Sequence, residues 1–209
     1  MKHPMLTISL VILGSCVLGV SASAQEITGP DVFKISYFAN NGVAGAPDAT
    51  VRIDNPGTVE TEGGGSPESL CAMIYVFDND QQLSECCGCL VTADGLRTLS
   101  VSKDLTSNPL TGVVSNNGVI KIVSEVPTRI VSGVFTCDPT SENAEAVATV
   151  RAWASHVQNK VGAAYPITET AFTDATLSPE EFSFNLIEQC SFAQRLGSGK
   201  AVCSCGTGD

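Results

Sequence analysis

Three cysteines, Cys86, Cys87 and Cys89, fall within four positions of the stretch LSECCGCLVT (83–92). Sulfurs so close together can ligate zinc or an iron–sulfur cluster, exchange disulfides, or staple a fold. Cys86-x-x-Cys89 is formally a CxxC pair, and Cys203-x-Cys205 supplies two further sulfurs. Structural metal knuckles usually come as two well-spaced pairs in turns, and a thioredoxin-like centre needs CxxC at a helix N-terminus within a βαβ unit. Here Leu90, Val91 and Thr92 continue as strand, and Cys89 is followed by leucine where a c-type haem attachment has histidine. The residue pattern therefore favours disulfides, given an oxidising compartment.

The N-terminus points to such a compartment. Lys2 and His3 precede an apolar run from Met5 to Val20, and Ala22-Ser23-Ala24 has the small-x-small pattern of a signal peptidase site. The run is too short and too rich in small residues for a membrane-spanning helix. Residues 1–24 are accordingly expected to be a signal peptide. Leu13-Gly14-Ser15-Cys16 has the look of a lipobox, which would make Cys16 a lipid anchor, but the apolar run continues past Cys16 to Val20.

Cleavage after Ala24 leaves 185 residues, one ordinary domain with room for a real core. Ten basic residues then face 22 acidic ones, a net charge of −12. Such an acidic surface disfavours binding to a nucleic-acid backbone and suits a soluble protein outside the cytoplasm. Of nine cysteines, eight remain: Cys71, Cys86, Cys87, Cys89, Cys137, Cys190, Cys203 and Cys205. An even set in an exported chain implies four disulfides among 105 pairings.

Other catalytic constellations are sparse. His156 is the one histidine of the mature chain, so any Ser-His-Asp triad or zinc hydrolase site would have to use it, and no second histidine or G-x-S-x-G elbow supports either. Its neighbours Ser155 and Val157 suit an ordinary strand residue. Asp78-Asn79-Asp80 has the opening spacing of a calcium loop, but Leu83 stands where the loop needs glycine, so the triplet reads as a hairpin turn. Calcium at acids on strand ends remains an open alternative. The many carboxylates leave open a glycosidase-type acid pair, though none is marked by spacing.

The elements that must position these residues are mostly strands. DVFKISYFAN alternates Phe33, Ile35, Tyr37 and Ala39 against Lys34 and Ser36, and ATVRIDNPG alternates Val51 and Ile53 against Arg52 and Asp54 before a turn at Asn55-Pro56-Gly57. ETEGGGSPES (60–69) reads as an exposed loop. LCAMIYVFD is continuously apolar, as in a strand covered on both faces, and pairs as a hairpin with QQLSECCGCLVT around Asp80. In that hairpin Cys71 is expected roughly opposite Cys87 or Cys89, with Cys86 facing away from both. GLRTLSVS, GVIKIVSEV and TRIVSGVFTC are further short β-branched runs. The Ala148–His156 region fits either a strand or a helix, and the strand is favoured because AYPITETAFT resembles an antiparallel partner.

Near the C-terminus the period changes. Ser178-Pro179-Glu180-Glu181 carries an N-cap, a proline at the first helical position and a glutamate at the third, and Phe182, Leu186, Cys190 and Ala193 share one face. A helix over 179–196 is expected, ending at Gly197, with Cys190 toward the core and Cys203 or Cys205 as its partner.

The sequence thus predicts a mainly β protein: an immunoglobulin-like antiparallel β-sandwich over 25–177, with a C-terminal helix and Cys-rich tail over 178–209 packed on it. The expected role is an acidic, secreted (extracellular or periplasmic) disulfide-stabilised module serving cell-surface adhesion or extracellular assembly, by self-association or by binding protein or carbohydrate. The alternative is a secreted carboxylate-dependent hydrolase. No cofactor is implied beyond the calcium alternative.

Overall fold

The computed structural model describes residues 32–59, 69–129, 134–141, 146–147 and 149–206. The expected signal peptide, Cys16, nearly all of the glycine-rich loop and the middle of TRIVSGVFTC lie outside them.

Two antiparallel sheets share a core. Strands β1 (Phe33–Phe38), β2 (Thr50–Asp54), β3 (Leu70–Asp78), β4 (Leu83–Val91), β5 (Leu96–Ser100), β6 (Gly118–Glu125), β7 (Thr128–Arg129), β8 (Phe135–Thr136), β9 (Arg151–Val157), β10 (Ile167–Ala171) and β11 (Thr173–Asp174) follow in chain order. The larger sheet runs β11-β1-β6-β3-β4, the smaller β10-β9-β2-β5, and β7 and β8 form a separate ribbon. Val51, Ile53 and Leu99 of the smaller sheet pack against Ile74, Val76, Ile120 and Ile122 of the larger.

The C-terminal helix covers the other face of the larger sheet, making a third layer. Phe182, Leu186, Cys190 and Ala193 are buried there against Phe33, Met73, Tyr75 and Val123. This explains the unbroken apolar run of β3, which is central in its sheet and covered on both sides. The helix occupies 179–196, and the Ser178 hydroxyl accepts the Glu181 backbone N–H at 3.1 Å as an N-cap. Glu181 does not complete a reciprocal capping box, because its carboxylate is held by Lys121 and Asn185 instead. The helix is π-wound over Glu181–Glu188 and α-wound over Gln189–Leu196.

The ambiguous Trp153 segment is strand β9, paired with β10 as Ile167↔Val157 through Ala171↔Trp153. Strand β1 departs from simple alternation. Lys34 is buried with its ammonium 2.6 Å from Asp174, whereas Tyr37 is half exposed.

Two expectations about the cysteines are corrected. Cys71 lies opposite Leu90, not Cys87 or Cys89, because those two pair with Ile74 and Ala72 on the other face of β3. Cys71 instead bonds Cys137. Cys190 bonds Cys86 rather than a tail cysteine, since the helix rests its buried face on β4 while the tail runs along that strand. The opposite facing of Cys86 relative to Cys87 and Cys89 is as expected, with Cys86 in the helix-side core and the other two between the sheets.

Candidate functional site: a groove along a disulfide-locked helix

The CCGC run is a stapling node. Cys86 joins the helix at Cys190, while Cys87 and Cys89 join the tail at Cys203 and Cys205. Residues two apart on a strand share a face, so one extended tail segment meets both Cys87 and Cys89. The sulfurs of Cys87, Cys89 and Cys205 converge within 4.8 Å. That convergence follows from two neighbouring bridges and presents disulfide sulfur, not the thiolate a metal needs. Backbone bonds from Cys86 N–H to Ala201 O (3.0 Å) and from Cys203 N–H to Cys86 O (3.3 Å) add the tail to the edge of β4. Arg97 donates to Leu90 O and Cys205 O, and Asn108 donates to Gly199 O, closing the clamp.

His156 is fully engaged. Its Nδ1 lies 3.0 Å from the Tyr37 carbonyl, which can only accept, so Nδ1 carries the proton and Nε2 accepts from the Thr170 hydroxyl at 2.7 Å. The imidazole stacks on Tyr37, and burial lowers its pKa against the upward pull of the Tyr37 carbonyl. Ser155 bonds Thr50 rather than the imidazole.

Two buried carboxyls are held protonated at neutral pH. Burial pushes Glu85 to about 8, although the Asn108 N–H donates to it at 2.8 Å. Burial, then the charge of Asp138, pushes Glu125 to about 8. Each keeps one oxygen without a hydrogen bond among the described residues. They do not form a glycosidase pair. Glu85 lies opposite Val76 and Glu125 opposite Cys71, five positions apart on β3 and on opposite faces. That is roughly 17 Å along the strand and two strand spacings across it, against about 5–10 Å for catalytic carboxyls. The Asp78 carboxylate is engaged as well, accepting the Asp80 and Gln82 N–H groups at 2.9 and 3.0 Å as the hairpin's turn bond.

A recess along the helix remains, and sequence reading missed it. Phe184 and Phe192 are 61% and 62% exposed on the side of the helix away from the core. With Leu83 and Leu110 they line a cavity of about 580 Å³, which Gln81, Gln82, Asn185 and Gln189 also border. A second recess of about 320 Å³ shares Gln81, Asn185 and Gln189 and extends the groove toward Asp78, Lys121 and Glu181. Lys121 pairs with Glu181 and lies 4.5 Å above the Phe77 ring. Burial raises the Glu181 pKa, but the bonds from Lys121 and Asn185 outweigh it, and the carboxyl ends below its ordinary value.

The groove is framed by rigid parts. One wall is the helix, fixed to β4 through Cys86–Cys190. The other is the β3–β4 hairpin, whose loop closes with Asp78 N–H on Gln82 O at 3.0 Å. Within that loop Gln81 has φ 65°, the left-handed conformation that glycine takes with least strain. The signal available in sequence was Phe184 and Phe192, eight positions apart and off the apolar stripe of Phe182, Leu186 and Cys190. Compared with protein-family models, curated proteins and solved structures, the chain matches none.

Proposed function

We propose that the chain is an exported, disulfide-stabilised binding module whose recognition surface is the groove between the C-terminal helix and the β3–β4 hairpin. The observation that carries this reading is the pair Phe184 and Phe192. Two large aromatics stand exposed on a helix that its packing on the larger sheet and a disulfide hold in place. Exposed apolar residues gathered around a recess mark a binding surface more often than scattered ones do. Four disulfides fit an oxidising compartment, and no helix among the described residues is long and apolar enough to cross a membrane. Two antiparallel sheets sharing one core support the reading of the frame as a β-sandwich of immunoglobulin-like type. A frame of this type hosts many functions, so the assignment rests on the groove and not on the sheets.

Adhesion of the labelled mature chain to cell-surface and extracellular-matrix preparations tests the reading, with a Phe184→Ala/Phe192→Ala double variant beside it. Retention of the wild type and loss in the double variant is the expected result. Equal retention of both, or of neither, overturns it.

A further inference from the structure

The geometry points to a neutral oligosaccharide as the ligand of this groove, an inference that rests on the binding-module reading and narrows it. A pyranose ring has an apolar C–H face and a rim of hydroxyls that each donate and accept. An exposed aromatic ring complements the face, and a carboxamide, which also donates and accepts, complements the rim. The groove offers both. Phe184 and Phe192 supply rings separated by eight helical positions, roughly 10–12 Å along the axis, a span for several sugar rings rather than one. Of the four amides between the helix and the hairpin, Asn185 donates to Glu181 and accepts from Gln189, while the side chains of Gln81 and Gln82 make no hydrogen bond to any described residue.

Charge narrows the class further. Lys121, the cation at the groove's far end, is paired with Glu181, and at the other end the exposed Arg195 lines the adjoining recess together with Glu188 and Phe192, on a strongly acidic chain. One cation beside an acid gives an anionic glycan no cluster of positive charge to bind, whereas the Glu188 carboxylate is an acceptor for the hydroxyls of a neutral one.

Two features of the backbone agree with a site. Gln81 carries a long amide at a left-handed position where glycine would relieve strain, and retained strain of this kind gathers at ligand sites. The helix is π-wound across Phe184, Asn185 and Glu188, a winding that recurs at functional positions.

Affinity electrophoresis of the mature chain through gels containing hydroxyethylcellulose, xylan, mannan or heparin tests the inference. The expected result is retardation by at least one neutral polysaccharide and not by heparin. Phe184→Ala and Phe192→Ala should each weaken it about tenfold or more without lowering the melting temperature. Gln81→Gly should raise the melting temperature and still weaken retardation several-fold, opposite signs that a merely structural role would not produce. No retardation in any neutral gel, retardation indifferent to the two phenylalanines, or preference for heparin overturns the glycan assignment. If the double variant loses adhesion while every neutral gel is silent, the module reading stands and the groove takes a protein segment instead.

Discussion

Cys86 and Cys190, with Cα atoms 5.9 Å apart, tie the middle of β4 to the buried face of the helix that displays Phe184 and Phe192. They are 104 residues apart in sequence, so the bridge closes a long loop of the unfolded chain. Its loss in a Cys86→Ala/Cys190→Ala variant is expected to cost about 2–5 kcal/mol. Chemical denaturation reads that loss. Amide exchange should quicken over 179–196 before it quickens in β3, because the helix depends on this staple and the central strand does not.

Gly88, between Cys87 and Cys89, is set by the chain that passes over it. A Cβ at this position would overlap the Cys137 carbonyl oxygen and lie 2.7 Å from its carbonyl carbon. Gly88→Ala therefore pushes the Cys137 segment off β4 and strains the bridge from Cys71. The expected cost is about 1–3 kcal/mol, with free thiol at Cys71 and Cys137 in disulfide mapping. An unchanged melting temperature would show that the 137 segment adjusts freely.

Stability should fall as pH rises through neutrality. Glu85 and Glu125 have folded pKa values near 8, above their ordinary 4.5, so folding favours their protonated forms. Their contribution is complete below about pH 4.5, is lost between 4.5 and about 8, and is constant above. His156 acts with the opposite sign. Its lowered pKa contributes fully above 6.5 and is lost as pH drops below that value. Denaturation at pH 6.5 and 8.5 isolates the carboxyls, and the loss should be on the order of 1–2 kcal/mol for each. Glu85→Gln and Glu125→Gln should each flatten the slope.

Strand β10 is a sheet edge with all five residues exposed, a surface on which another copy could pair. Glu169 sits at its centre and bonds Arg52. A two-fold pairing about that centre would set Glu169 against Glu169, which is unfavourable. Glu169→Val is expected to introduce concentration-dependent self-association, read by light scattering. Equal masses for wild type and variant at high concentration would show that the edge is protected by something else.

Much of this architecture is local and was readable in the residues. Ser178, Pro179 and the spacing of Phe182, Leu186, Cys190 and Ala193 mark the helix and its buried face because capping and period act within one segment. The apolar run of β3, the hairpin turn at Asp78 and the opposite facing of Cys86 and Cys87 follow from the same local rules. Other features depend on partners far along the chain. Lys34 is buried because Asp174 reaches it from 140 residues away. The cysteine pairing required knowing that the tail runs parallel to β4 and that β3 turns Cys71 toward the 137 segment. The groove belongs to this second group. Phe184 and Phe192 were visible as residues, but only the packing of the helix beside Gln81 and Gln82 makes a recess, since a cavity is defined by surfaces that no single segment contains.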